Sequence, residues 1–209
     1  MKAEKQVDKS HYDFQRYMDK GRWNSIWHQL DEIARLNPQR VLEIGPGPGL
    51  FKQVAQLFNV HVETLDLDPE LKPDHLGSAT SLPFSDRTFD VTCAFQMLEH
   101  IPYEDAIKAF REMARVSRGH VVISLPDAHA VHRYQVQIPK VAAFDRLITK
   151  RSYQPKAHQF DGEHHWELNK IGYELEKVCQ DLEQVCPLVK RYRVKENPYH
   201  HFFVFRANA

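Results

Sequence analysis

The chain has 209 residues, which favours one compact domain with room for a small subregion. With 42% hydrophobic and 27% charged residues it is neither a disordered nor a fibrous chain. Lys+Arg is 28 and Asp+Glu is 28, so the chain lacks the broad positive field of most nucleic-acid binders, and no nucleic-acid partner is expected.

Cys93, Cys179 and Cys186 are odd in number and lack metal-ligand spacing, as expected of free thiols in a reducing compartment. The longest apolar stretches, such as 121–125, are too short to span a bilayer. The opening Met-Lys-Ala-Glu-Lys-Gln has no apolar signal core. A cytoplasmic protein without membrane contact, monomer or homodimer, is the expectation.

Residues 1–37 read as an N-terminal helical segment. Trp23, Ile26, Trp27, Leu30, Ile33 and Ala34 recur at helical spacing, so core packing is the plain role of both tryptophans. Asn37-Pro38 ends that helix. The run 40–44 is a short apolar strand meeting a glycine cluster, and Phe51, Val54, Ala55 and Phe58 mark the next helix. Strands follow at 61–67 and 89–95. Ala106, Phe110, Met113 and Ala114 carry a helix stripe, with Gly119 placed as its C-terminal cap. A strand at 120–125 stops at Pro126. Strands alternating with helices imply βαβ crossovers and a parallel sheet.

Residues 126–167 break this rhythm: they are polar, rich in histidine and without strong strand signals. Such a stretch is too long for a plain connector and reads as an inserted lid or binding segment. A helix resumes at Leu175, Val178, Leu182 and Val185. Two strands close the chain, at 188–194 and 201–205. The second is apolar on both faces, so it is placed in the sheet interior.

Gly45, Gly47 and Gly49 stand between a strand and a helix, where ligands approach the backbone of an open parallel sheet. Asp66 ends the next strand, where an acidic residue takes ribose hydroxyls. Together they indicate an adenosine-containing ligand. Pro46 and Pro48 lack the N–H groups that would cradle phosphates, and Glu43 would repel them. S-adenosylmethionine, with an ammonium for Glu43 and no phosphate, fits better than a dinucleotide.

These motifs resemble those of class I S-adenosylmethionine-dependent methyltransferases of the small-molecule "type 11" group, over roughly residues 17–206. Val-Leu-Glu-Ile-Gly-Pro-Gly-Pro-Gly at 41–49 resembles the first motif, Thr-Leu-Asp-Leu-Asp-Pro at 64–69 the second. Gly-Ser-Ala-Thr-Ser-Leu-Pro-Phe at 77–84 resembles the segment beside the adenine, and Phe-Gln-Met-Leu-Glu-His-Ile at 95–101 the turn after the fourth strand.

The resemblance implies an α/β, doubly wound, mostly parallel seven-stranded sheet whose last strand is antiparallel and inserted. It implies S-adenosylmethionine as cofactor, S-adenosylhomocysteine as product and a small-molecule acceptor as partner. It places Glu43, Gly45, Pro46, Gly47, Asp66, Leu67, Ser78, Ala79, Phe95 and Gln96 on the cofactor. Ser78 departs from the acidic residue many relatives carry beside adenine. Tyr17, Arg22 and Trp23 are expected to close the pocket from the N-terminal helices. Tyr103, His129 and Trp166 are expected at the acceptor. His165 is expected nearest to it, and His100 is weighed as a base or as a brace for the turn before Pro102. His129/His132 and the group Asp161, Glu163, His164 and His165 read as polar lid surface, with no metal expected. Methyl transfer to oxygen or nitrogen of a metabolite is the implied reaction. A protein or RNA methyltransferase and a non-catalytic binder of the cofactor are the rivals.

Overall fold

The computed structural model describes residues 12–207. In chain order its elements are α1 (Phe14–Tyr17), α2 (Lys20–Arg35), β1 (Val41–Ile44), α3 (Leu50–Leu57), β2 (Val62–Asp66), β3 (His75–Leu76), β4 (Phe89–Phe95), α4 (Tyr103–Val116), β5 (Ser117–Pro126), β6 (Val131–Ile138), β7 (Ala142–Thr149), α5 (Leu175–Glu183), β8 (Leu188–Arg193) and β9 (His200–Arg206). Single 3-10 turns at Pro69–Leu71 and Leu98–His100 complete the list. Residues 1–11, including the charged start, lie outside the described residues.

Seven strands form one sheet in the order β3-β2-β1-β4-β5-β9-β8. The first five are mutually parallel where they pair, and β9 runs antiparallel to both β5 and β8. The chain winds outward one way from β1 to β3 and then the other way from β4, so the strand order reverses between β1 and β4. Ligands bind at such a reversal in open α/β sheets. The interior place of β9 follows from its composition: Phe202, Phe203, Val204 and Phe205 are all buried. A strand apolar on both faces needs cover on both. Each buried phenylalanine contributes about 1.5–3 kcal/mol of transfer free energy.

Both faces are covered. On one, Leu42, Ile44, Ala94, Ile123 and Phe203 pack with Phe110 and Met113 of α4 and Val178 and Leu182 of α5. On the other, Val41, Val62, Val91, Val122 and Phe202 pack with Ile33 of α2 and Phe51 and Ala55 of α3. Alternation along each strand sends successive residues to these two cores.

Three local expectations are corrected. Trp23 and Trp27 are 53% and 56% exposed, and the buried side of α2 is instead Ser25, Ile26, Gln29, Glu32 and Ile33. The cause lies in what α2 covers. Ser25 Oγ accepts from Asn197 Nδ2, Glu32 pairs with Lys190 at 2.7 Å, and His28 Nδ1 lies 3.2 Å from Tyr192 Oη. The helix rests on Lys190 and Tyr192 of β8 and on Asn197 of the turn that follows, so polar residues go inward and the indoles outward.

Gly119 is not a helix cap. It sits inside β5, where a Cβ would lie 2.6 Å from the carbonyl oxygen of Asp90, beside an irregularity in the β4–β5 register. Residues 126–167 do contain strands. β6 and β7 form an antiparallel hairpin held by paired Arg133 and Asp145. Its residues are largely exposed, so no buried face imposed a readable alternation. Among the described residues no helix is long and apolar enough to cross a membrane.

Candidate functional site

The glycine loop leaves β1 and enters α3 with Gly45, Gly47 and Gly49 all at positive φ (68°, 54° and 73°). Gly45 N–H donates to the carbonyl of Leu65 at 2.9 Å, which ties the loop to β2. A Cβ on Gly45 would lie 2.3 Å from Met97 Cγ, so the turn after β4 packs directly on it. At Gly47 the neighbour is Tyr12, whose ring would stand 3.1 Å from an added Cβ. Backbone freedom and close approach are both required here, which only glycine supplies.

Glu43 lies under this loop, on the α3 face of β1. It is 3% exposed, its Oε2 has no hydrogen-bond partner, and burial pushes its pKa up to about 8 against a modest pull from Lys52. A buried, unsatisfied carboxyl group is costly, and a cationic ligand is the natural partner. Asp66 ends β2 close by, its own pKa raised by burial, with Oδ1 accepting from Asp68 N at 2.9 Å.

The N-terminal elements close over this end of the sheet. The Arg22 guanidinium stacks 4.1 Å from the Tyr17 ring centroid, and Tyr17 meets Tyr12 edge-on at 5.1 Å. Burial raises the Tyr12 pKa to about 12, with Tyr17, Asp66 and Asp68 adding to the shift. Glu43 also acts on Tyr17, and Arg22 on both Glu99 and His200. Tyr12, Tyr17, Arg22, Glu43 and Asp66 therefore share one electrostatic environment.

A second polar cluster sits beside the first, where β4 ends. Gln96 takes a left-handed φ of 53°, rare for a side chain with a Cβ, and its amide donates to Ser124 Oγ. Glu99 follows, wholly buried, with both carboxylate oxygens lacking a partner and a pKa raised by burial to about 8. His100 Nδ1 lies 2.9 Å from the Glu163 carbonyl oxygen, and its ring meets His164 at 4.9 Å. His164 Nδ1 contacts Glu167 Oε1 at 3.0 Å, and Tyr199 Oη donates to the same oxygen. The segment before α5 is clasped to this turn by His165 N donating to Glu99 O at 2.8 Å.

Residues 14–182 match the family described as "Methyltransferase domain". The chain belongs to this methyltransferase family. It is 33% identical over 157 residues to an uncharacterized methyltransferase of Mycobacterium sp. (strain JLS), covering 63% of this chain and 58% of that one. It is 31% identical over 110 residues to norajmaline N-methyltransferase of Rauvolfia serpentina, covering 44% and 37%. The chain thus spans well under two thirds of these relatives' lengths. Its fold matches the Burkholderia thailandensis 1,6-didemethyltoxoflavin-N1-methyltransferase, solved with S-adenosylhomocysteine, at a TM-score of 0.62 and 14% identity over 96% of this chain and 85% of that one.

Within this methyltransferase domain the predicted residues fall at several places. Tyr17, Arg22, Glu43, Gly45, Pro46, Gly47, Asp66 and Leu67 gather at the ends of β1 and β2. Ser78 and Ala79 follow β3, tied in by Gly77 N donating to Asp66 O, although the Ser78 hydroxyl is engaged with Thr80 Oγ1 at 2.9 Å. Phe95 ends β4 as a core ring, 5.2 Å from Phe51. His100 stands in the second cluster, but the ring of His165 packs on Phe160 at 4.6 Å, and its neighbour His164 faces Glu99 instead.

Of the remaining expectations, those for Trp166 and Tyr103 need correction. Trp166 is 2% exposed, and its indole N–H is shared between the carbonyls of Leu98 and Ile101 at 3.2 Å each. It holds the turn after β4 rather than facing an acceptor. Tyr103 packs on Trp166 and Tyr173 and donates to Asp181 of α5 at 2.7 Å, on the α4–α5 side of the sheet. His129 stacks on Tyr153 at 4.4 Å, beside an open cleft of about 470 Å³ lined by Ala128, Lys150 and Tyr153. Sequence reasoning missed Tyr12 and the buried His200, read His164 as polar lid surface, and took Glu99 only as a neighbour of His100. Tyr12, Glu99 and His164 stand outside the α-helices and strands, so no spacing marked them, and His200 opens β9 ahead of its apolar run.

Proposed function

We propose that this chain transfers the methyl group of S-adenosylmethionine to a small-molecule acceptor. The observation that carries the reading is the buried, half-unpartnered Glu43 beneath a glycine loop in which Pro46 and Pro48 supply no donors for phosphate. A sulfonium ligand with an ammonium group and no phosphate matches that chemistry. Asp66 takes the ribose hydroxyls, Leu67, Ser78 and Ala79 flank the adenine, and Arg22 faces the cofactor carboxylate. Family membership supports the reaction. The small-molecule acceptor is supported by the substrates named for the Rauvolfia and Burkholderia proteins.

The donor is already activated, so the protein's main task is to hold donor and acceptor close and in line. The acceptor's lone pair forms the new bond to carbon while the carbon–sulfur pair returns to sulfur, leaving S-adenosylhomocysteine. In this reading residues 126–167 cap the acceptor, and nucleic acid is not its substrate. The three buried free thiols suit a reducing, cytoplasmic setting.

The test is calorimetric titration with S-adenosylmethionine, S-adenosylhomocysteine and NADH, repeated on Asp66→Ala. Micromolar binding of the two sulfur ligands alone, weakened at least tenfold by the substitution, is expected. Binding of NADH, or of none of the three, overturns the reading.

A further inference from the structure

We propose that Glu99, His100 and His164 form a divalent-metal site whose open positions take an oxygen atom of the acceptor. This inference rests on the methyl-transfer reading for its role, though not for its geometry. One ligand atom from each of the three residues lies within 4.8 Å of the others. Metal–nitrogen and metal–oxygen bonds are about 2.1 Å, so closure by roughly an ångström brings all three onto one ion.

The independent observation is Glu99. It is wholly buried, and neither carboxylate oxygen has a hydrogen-bond partner. Arg22 acts on it through space without a hydrogen bond. Buried carboxyl groups in folded chains keep their proton or are paired, hydrogen-bonded or metal-bound. A cation at this point supplies what Glu99 lacks.

The outer contacts are those a metal site needs. A carbonyl oxygen only accepts, so in the His100–Glu163 contact the ring donates through Nδ1–H. His164 gives its Nδ1 to Glu167, which is further held by Tyr199 Oη and lies 3.6 Å from Lys170 Nζ. Histidine ligands are commonly oriented by a carboxylate or carbonyl on the nitrogen away from the metal. The competing set Asp161, His164 and Glu167 is less suited. Asp161 is engaged by the amides of Glu163 and His164, and Glu167 by His164 and Tyr199.

Two histidines and one carboxylate leave coordination positions open, a set that suits Zn²⁺, Mn²⁺, Co²⁺ or Fe²⁺. A cleft of about 420 Å³ is lined by His158, Asp161, Glu167 and Lys170, and of these Glu167 contacts His164. An acceptor hydroxyl on the ion loses its proton to solvent more readily. Its oxygen lone pair then forms the O–CH₃ bond while the S–CH₃ pair returns to sulfur. The ion changes neither oxidation state nor number of ligands from the chain.

The experiment uses the full chain, stripped with a chelator and titrated with Co²⁺ and Zn²⁺ by calorimetry and visible absorption. One ion per chain is expected at micromolar or tighter affinity. It weakens at least a hundredfold in His164→Ala and in the near-isosteric Glu99→Gln, and about ten- to a hundredfold in Glu167→Gln. Acetohydroxamate, a bidentate oxygen ligand, shifts the Co²⁺ spectrum of the wild type. S-adenosylhomocysteine titrated in parallel reports on the donor site and on folding of each variant. No stoichiometric ion, or affinity unchanged in Glu99→Gln, overturns the site. A bound ion whose spectrum ignores acetohydroxamate overturns the acceptor role. Failure of S-adenosylhomocysteine to bind the wild type counts against the donor reading alone. If His164→Ala does not fold, the two isosteric variants decide.

Discussion

The glycine loop and the 126–168 excursion are built on opposite principles. The loop is fixed by backbone: three positive-φ glycines, one hydrogen bond to β2 and a methionine packed on Gly45. The excursion is pinned at its ends by backbone and otherwise held to its surroundings by side-chain contacts, among them Trp166 to Leu98 and Ile101, His100 to the Glu163 carbonyl and Arg133 to Glu196. A site made of backbone tolerates few substitutions at few positions. A site made of side chains spreads its dependence over many residues that look ordinary in sequence.

Substitutions can break or sharpen this contrast, and the largest effect belongs to the excursion. Trp166→Ala removes a fully buried indole and both of its hydrogen bonds, and should destabilise the protein by about 3–5 kcal/mol. Urea denaturation checks it, and a loss below about 1 kcal/mol would show that the excursion does not lean on this residue. Gly45→Ala comes next. It forces a Cβ into positive φ and against Met97, for about 1–3 kcal/mol. Calorimetry should also find S-adenosylhomocysteine binding weakened more than tenfold.

Glu43→Gln should leave the fold intact and weaken S-adenosylmethionine by about tenfold, since a carboxylate and an ammonium no longer meet. A pH-dependent effect accompanies it. Glu43 has its pKa raised from 4.5 to about 8, so between those values the folded chain holds a proton that the unfolded chain has released. The contribution of Glu43 is full below pH 4.5 and is lost as pH rises through about 8. Lys52 opposes the shift weakly, and Tyr17 and Cys93 share the field. Ligand-free wild type should therefore lose more stability from pH 5 to pH 8 than Glu43→Gln does, as read from urea midpoints at each pH. Equal losses would place the titration elsewhere. At the bottom of the scale, Trp27→Ala should change stability by under about 0.5 kcal/mol, because its indole faces solvent.

The same contrast explains what was legible. The sheet, its helices and the interior β9 announce themselves through periodicity and through glycine and proline punctuation, which act locally. The loop with Glu43 and Asp66 was legible for that reason too. His164 was not separable from His165, because adjacent residues in irregular backbone carry no period to say which turns inward. Tyr103 and Trp166 were misread for a related cause. Aromatic residues near a site suit an acceptor wall and a helix interface equally well, and only packing distinguishes the two. The tryptophans of α2 were misplaced because the surface beneath that helix includes Lys190, Tyr192 and Asn197, polar residues far along the chain.

The excursion leaves and rejoins the sheet almost at one point. Leu168 N–H donates to the Pro126 carbonyl, and Ala128 N–H donates to the Leu168 carbonyl. Lengthening a loop whose ends are already pinned together adds little closure entropy. Residues between those anchors can therefore be replaced or extended over evolutionary time while the strands that carry Glu43 and Asp66 keep their register. Heritable change in the excursion is in this way uncoupled from the glycine loop and the strands beneath it.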